Sequence, residues 1–298
     1  MRHLLRIADL SDAEIQHLCL RAATRPPQAS QVDPGRSAVA LMFLEPSTRT
    51  RISFERAAQY VGRPSIVFDA KSTSLEKGES LEDTILTLRA LKISTFVIRT
   101  SQTDGLESLR KIPGVSLVNA GDGVGEHPTQ ALLDAATLLR EWAEGDISKL
   151  RGLRLGILGD LRRSRVARSW AVLAAKLGIE LVLISPPEWK PANWGQSLTW
   201  SSDKTEALKS LDVVMALRVQ KERMDSHESA QTEAFVKNFQ LRPEDLTPSQ
   251  KLMHPGPVNW GVELSSAFQT DPRSLILKQV EMGLAMRACV LDFLDDAP

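Results

Sequence analysis

Cysteine is scarce in this chain: Cys19 and Cys289 are the only two among 298 residues. They stand far apart in helix-like surroundings, which reads as two core thiols and not as a disulfide framework. Excess charge of either sign is absent as well, since 37 Lys and Arg balance 37 Asp and Glu. That argues against a nucleic-acid binder relying on a broad basic face. No apolar run approaches the ~20 residues that a membrane helix needs. The N-terminal stretch MRHLLRIADLSDAEIQ lacks the apolar core and cleavage pattern of a signal peptide, so a cytoplasmic protein is expected. There is no Walker P-loop, no G-x-G-x-x-G after a strand, no HExxH and no CxxC. His3, His17, His127, His227 and His254 are too scattered for spacing to suggest a metal site. No metal or organic cofactor is expected.

What is there is enough apolar sequence for a packed core, 42% hydrophobic against 25% charged, in a length that suits two domains of ordinary size or one large one. Ser11 and Glu14 form a capping box that predicts a helix to about Ala23. TRPPQASQVDPGRSA then reads as an irregular connection. From residue 38 the pattern alternates. AVALMFL is a short apolar run, and Phe54, Ala57, Ala58 and Val61 recur at helical spacing. PSIVFDA and STFVIR are strand-like around the helix-like ESLEDTILTLRAL. GLESLRKI, VSLVNAG and TQALLDAATLLREW continue the alternation, the last with Leu132, Ala135, Ala136 and Leu139 on one face. After AEGDISKLRG it restarts with LRLGILGD, a helix that Gly178 ends, IELVLIS, LDVVMAL, QKLMHPG and a long C-terminal helix. The expected fold class is α/β: two domains, each a mainly parallel sheet flanked by helices, joined near residues 131–142.

One stretch concentrates hydrogen-bonding capacity where a buried strand turns into a helix: ALMFLEPSTRTRISFERAA, residues 40–58. The first backbone N–H groups of a helix lack internal partners, and the helix dipole adds partial positive charge there. A strand-to-helix turn at the carboxyl edge of a parallel sheet is therefore a natural anion site. Ser47, at the N-cap position, and Thr48 and Thr50 add hydroxyls, while Arg49 adds a planar fork suited to phosphate oxygens. A capped helix with a solvated basic first turn would share this spacing. Arginine at a helix N-terminus is unfavourable unless an anion compensates, however, so a phosphate is the reading preferred.

FLEPSTRTRISFE resembles the carbamoyl-phosphate motif of the aspartate/ornithine carbamoyltransferase family. STSLEKGESLEDT, the arginine of FVIR, NAGDG with HPTQALLD, GDLRRSRVARS, LRVQKERM and MHPGPVNWGVEL follow in that family's order and cover nearly all of the chain. HPGP with RVQKERM resembles the aspartate branch; the ornithine branch carries a cysteine-containing HCLP at that place. The resemblance implies transfer of a carbamoyl group from carbamoyl phosphate to the α-amine of L-aspartate, a step of pyrimidine biosynthesis. It implies a carbamoyl-phosphate domain at 1–132, with the helix 273–298 packing back on it, an aspartate domain at 133–272, and an active site in the cleft between them.

Residue by residue, the resemblance implies that Ser47, Thr48, Arg49 and Thr50 hold the phosphate. Arg99, His127 and Thr50 donate to the carbonyl oxygen, and Gln130 binds the carbamoyl amide. Gly256 and Pro257 present backbone carbonyls to the substrates' amino groups. Arg165, Arg218 and Gln220 take the aspartate, while Arg162, Arg163 and Arg168 are read as structural or solvent-facing. Ser74 and Lys77 lie on a polar loop that in this family reaches a neighbouring subunit's site, which implies a homotrimer with shared sites. Trp260 departs from the family, standing where many relatives have arginine. A regulatory chain or a dihydroorotase partner would be compatible with the sequence, whereas a nucleic-acid or membrane partner is not expected. The rival readings are a non-catalytic paralogue serving assembly, a carbamoyltransferase for another amine, and a flavodoxin-like binding module.

Overall fold

Val39–Phe43 is buried at all five positions, as a strand covered on both faces must be, and it forms the centre of the first of two parallel sheets. A computed structural model describes residues 1–24, 28–69, 78–191, 198–220 and 229–295. The first elements in chain order are α1 (Asp12–Thr24), β1 (Val39–Phe43), α2 (Thr48–Tyr60), β2 (Ser65–Asp69), α3 (Leu81–Ala90), β3 (Thr95–Thr100), β4 (Ser116–Asp122) and α4 (Pro128–Glu141). There follow β5 (Arg154–Leu158), α5 (Arg165–Leu177), β6 (Glu180–Ile184), β7 (Thr199–Ser201), α6 (Lys204–Leu208), β8 (Val213–Ala216), α7 (Ser229–Phe239), β9 (Lys251–Met253) and α8 (Ile276–Asp295).

The chain divides into two units, Met1–Ala136 with Val280–Pro298, and Thr137–Gln279. It passes from one to the other inside α4 and returns inside α8. In the first unit the strand order is β2-β1-β3-β4, all parallel. Ala40 and Met42 pack with Phe96, Ile98, Ile85 and Leu117 to form a core on this sheet. Ser11 and Glu14 make the expected reciprocal cap, the Glu14 carboxylate accepting from the Ser11 N–H at 2.9 Å. GLESLRKI, read as helical, is a 3-10 turn at Glu107–Lys111 followed by extended Ile112. Pro113 accounts for this, because the residue before a proline is pushed out of the helical region.

Arg63 is a deeply buried cation of this unit, 1% exposed. Its guanidinium donates to Ser37 O at 2.9 Å, to Thr95 Oγ1 at 2.9 Å and to Asp295 at 2.8 Å. One side chain thereby ties the entries of β1 and β3 to the end of α8. Burial lowers its pKa, and Asp295 opposes that shift.

In the second unit the order is β7-β6-β5-β8-β9, again all parallel. Its core includes Leu158, Ile184, Val214 and Leu252, with Trp189 stacked on Phe235 at 4.9 Å and Phe235 on Phe239 at 5.7 Å. Gly178 ends α5 in the left-handed conformation, φ 70°, as expected. The sequence pattern did not show β7, α6 or α7: the first two are three and five residues long, too short for periodicity to register. Among the described residues no helix is long and apolar enough to cross a membrane.

Cys19 and Cys289 are free and buried. Burial, helped by its cysteine neighbour, pushes the Cys19 thiol up to about 12, and burial pushes Cys289 up to about 11, both above the ordinary 9.0. Protonated thiols therefore favour the fold below pH 9.0, and that advantage is lost as pH rises beyond it, where unfolded thiols ionise first. Neither thiol should react with a disulfide reagent in the native protein at neutral pH, both should react after denaturation, and the urea midpoint should fall above about pH 9. Rapid native labelling would contradict this burial.

Candidate functional site

The two sheets share a topological feature. In the first, the chain moves from β1 to β2 on one side and then returns to place β3 on the other, so the switch point lies between β1 and β3. In the second, β6 and β7 lie on one side of β5 and β8 on the other. Crevices at the carboxyl ends of strands at such points are where open α/β sheets bind ligands. Each unit carries part of its candidate site residues at that place, Ser47–Thr50 and Arg99 in the first and Arg165, Arg218 and Gln220 in the second.

In the first unit, Ser47 is the N-cap of α2, yet its side chain makes no capping hydrogen bond, and the first turn holds no acidic residue. The N-terminus of α2 thus keeps its partial positive charge and adds the cation of Arg49. Thr48 and Arg49 are exposed, Ser47 is half-buried and Thr50 buried. Register pairs Arg99 of β3 with Phe43 of β1, and the Leu44 N–H donates to Arg99 O at 2.9 Å. The Arg99 side chain is 13% exposed, with Nε 3.4 Å from Glu45 Oε2 and Nη1 donating to Ala120 O at 3.3 Å. It is held from both sides, by the β1 loop and by β4.

His127 follows β4 through a loop built on Asn119 and Asp122. Asn119 Nδ2 donates to Asp122 Oδ1 at 3.0 Å, and Asn119 Oδ1 accepts from the Gly121 N–H at 2.7 Å. Asp122 Oδ1 also accepts from the Glu126 N–H at 2.6 Å. The Glu126 carboxylate accepts from the Ile7 N–H at 3.0 Å, which anchors the residue before His127. His127 is buried just ahead of α4, and Gln130 is buried in that helix's first turn. One turn on, Asp134 Oδ1 accepts from Gln130 Nε2 at 2.9 Å. Asp134 is also the charge that supports Arg287, whose pKa burial lowers to about 10. Arg287 donates to Ser53 Oγ at 2.5 Å and lies over the Phe54 ring at 5.2 Å. Ser47–Thr50, Arg99, His127 and Gln130 thus come to the carboxyl edge of three adjacent strands. Ser74 and Lys77 lie outside the described residues.

In the second unit, Gly159 at the end of β5 has φ 140°, and a Cβ there would stand 2.9 Å from Leu217 O. Only glycine lets β5 pass this close to the chain leaving β8, and the Leu217 N–H donates to Leu158 O at 2.7 Å. Asp160 is fully buried; burial raises its pKa, against the pull of Arg163, which donates to it at 3.3 Å. Ser164 caps α5 by accepting from the Ala167 N–H at 3.1 Å, so Arg165 is the first helical residue, in a first turn without acidic residues. Arg218 and Gln220 follow β8, both half-buried, and Gln220 Nε2 donates to Arg163 O at 3.1 Å. Arg163 is buried in this structural role, whereas Arg162 is exposed. Gly256 and Pro257 follow β9, joined by a cis peptide, and the Gly256 N–H donates to His254 Nδ1 at 2.7 Å.

Four carboxylates behind these residues escaped the sequence reading: Glu45, Asp134, Asp160 and Glu263. Asp134 was accessible in principle, because Gln130 and Asp134 are four apart on a helix. The others needed tertiary structure.

Comparison with known proteins also divides the chain in two, near residues 140–151. Residues 2–140 match the family model "Aspartate/ornithine carbamoyltransferase, carbamoyl-P binding domain", and residues 151–294 match "Aspartate/ornithine carbamoyltransferase, Asp/Orn binding domain". The aspartate carbamoyltransferase catalytic subunit of Maricaulis maris is 42% identical over 306 residues, covering 98% of this chain and 93% of its own. The aspartate transcarbamoylase of Trypanosoma cruzi, solved with N-(phosphonacetyl)-L-aspartic acid, superposes with a TM-score of 0.84 at 26% identity, covering 97% of this chain and 94% of that one. Ornithine carbamoyltransferase from Pyrococcus furiosus gives 0.86 at 25% identity over 100% and 98% of the two chains.

The buried contacts of Asp134 carry a stability prediction. Asp134→Ala leaves Gln130 Nε2 without this acceptor and Arg287 without its opposing charge, which should lower unfolding free energy by about 3 kcal/mol. Urea denaturation measures it; a loss below about 1 kcal/mol would show that Asp134 does not hold this network.

Proposed function

The chain belongs to the aspartate/ornithine carbamoyltransferase family, and we propose that within it the amine acceptor is L-aspartate. The reaction is attack of the aspartate α-amine on the carbonyl carbon of carbamoyl phosphate. A C–N bond forms, the C–O bond to phosphate breaks, phosphate leaves with that electron pair, and the amine releases a proton. The product is N-carbamoyl-L-aspartate, an intermediate for pyrimidine synthesis in the cytoplasm.

The observation that carries this reading is the α2 N-terminus, a helix end with an arginine and no acid in its first turn, following the strand whose last residue, Phe43, pairs with the half-buried Arg99. Such an arrangement suits a doubly charged phosphate. Ser47, Thr48, Arg49 and Thr50 hold the phosphoryl oxygens; Arg99, His127 and Thr50 face the carbonyl oxygen as negative charge develops on it. Donors fixed in advance at such an oxygen contribute roughly 3 kcal/mol each. Gln130 takes the carbamoyl NH2 through its amide oxygen, because its Nε2 is turned to Asp134. In the second unit, Arg165 and Arg218 pair with the two carboxylates of aspartate, Gln220 orients the amine side, and Gly256 and Pro257 offer backbone carbonyls. The relative from Maricaulis maris, named for the aspartate reaction, supports this acceptor over ornithine.

Ser74 and Lys77 act on a neighbouring subunit's site within a homotrimer. Support for self-association comes from β2, an edge strand on which Ile66 and Val67 are each 40% exposed, and from Leu91, 68% exposed at the end of α3. An apolar edge of this kind needs covering.

Purified protein should form carbamoyl-aspartate and should not carbamoylate ornithine; the opposite preference would refute the acceptor. Arg49→Ala and Arg99→Ala should each lower kcat/KM by about 10³ or more with circular dichroism unchanged. A variant within about tenfold of wild type would remove that residue from the chemistry. Mixing inactive Lys77→Ala chains with inactive Arg49→Ala chains should restore part of the activity. No recovery despite confirmed subunit exchange would exclude sites shared between subunits.

A further inference from the structure

Glu263 has no exposed surface, and its carboxylate accepts from groups on two separate segments that carry the acceptor half of the site. Oε1 accepts from the Asn259 N–H at 2.5 Å and lies 3.2 Å from His254 Nε2, while Oε2 accepts from the Val219 N–H at 3.4 Å. The His254 ring is fixed from its other side: the Gly256 N–H points at Nδ1 from 2.7 Å, so Nδ1 accepts and the ring proton sits on Nε2, facing Glu263. A second tie joins the same two segments, Asn259 Nδ2 donating to Val219 O at 3.0 Å. Val219 stands between Arg218 and Gln220, and His254 and Asn259 bracket Gly256 and Pro257. Glu263 is itself anchored, its carbonyl accepting from the Leu241 N–H at 3.0 Å.

We propose that Glu263 is a positioning residue for the amine acceptor. It fixes the Arg218–Gln220 segment against the Gly256–Pro257 turn, so that the arginine, the amide and the backbone carbonyls meet aspartate in one register. An apolar residue of the same volume would fill the space but release both segments. The inference rests on the reading above that these segments bind the acceptor. Glu263 touches no substrate; it acts through the backbone of residues that do.

The test is Glu263→Gln, which keeps shape and one acceptor oxygen but turns an NH2 group against one of the donors. KM for aspartate should rise about tenfold or more, since one buried donor loses its partner, with a smaller change in kcat. Affinity for inorganic phosphate, measured by calorimetry, should stay within about twofold, because the phosphate residues lie in the other unit. Should Glu263→Gln fail to fold, Asn259→Ala removes the second tie and should raise aspartate KM at least about threefold. Unchanged aspartate KM in a folded variant, or a fall confined to kcat and stability, overturns the proposal. If wild-type protein itself shows no turnover with aspartate, it is the reading of the acceptor that fails instead.

Discussion

Positive charge placed on positive charge is the constraint from which the site follows. Both α2 and α5 begin with a first turn free of acidic residues, and each carries an arginine there, Arg49 and Arg165. A cation in that position opposes the helix dipole by roughly 0.3–1 kcal/mol. Each helix tip is thereby prepared for an anion that arrives from outside: a phosphate for one and a carboxylate for the other, in the reading adopted here. Parallel sheets supply the setting, because every strand ends at the same edge and every following helix starts there.

Behind the cations lies a layer of carboxylates. Glu45 meets Arg99, Asp134 meets Gln130 and supports Arg287, Asp160 meets Arg163, and Glu263 meets His254. Buried carboxylates of this sort contribute little net stability, since their desolvation offsets most of what their contacts gain. Their effect is geometric. Each one fixes a side chain or backbone segment that would otherwise keep several rotamers, and each stands within two contacts of a group assigned to substrate. A site arranged before its ligand arrives loses less entropy on binding and holds its donors where charge develops.

Much of the first unit was legible beforehand. The capping box at Ser11, the buried run of β1 and the helical spacing of Phe54, Ala57 and Ala58 are local signals, and each formed as read. The helix tip at Ser47 was legible for the same reason, because a hydroxyl-rich turn between strand and helix needs only a few neighbouring residues to declare itself. GLESLRKI misled because its helical spacing was weighed without the proline that follows it. The segments β7, α6 and α7 left too little periodic sequence to read, or none that stood out from polar surroundings. The Glu263 hub was invisible, since it joins residues 219, 254, 259 and 263 through contacts that no spacing encodes.

By itself the sequence determined the alternation of the longer strands and helices, the positions where a helix begins on a cation, and the motifs that mark the family. Those are properties of residues close together along the chain, where propensity, capping and periodicity act. Only the tertiary structure decided which strand ends lie side by side, that Arg99 stands against the β1 loop, and that Gln130 turns its amide nitrogen toward Asp134. Those depend on register and burial, which arise when distant segments compete for the same buried volume and the same hydrogen-bond acceptors.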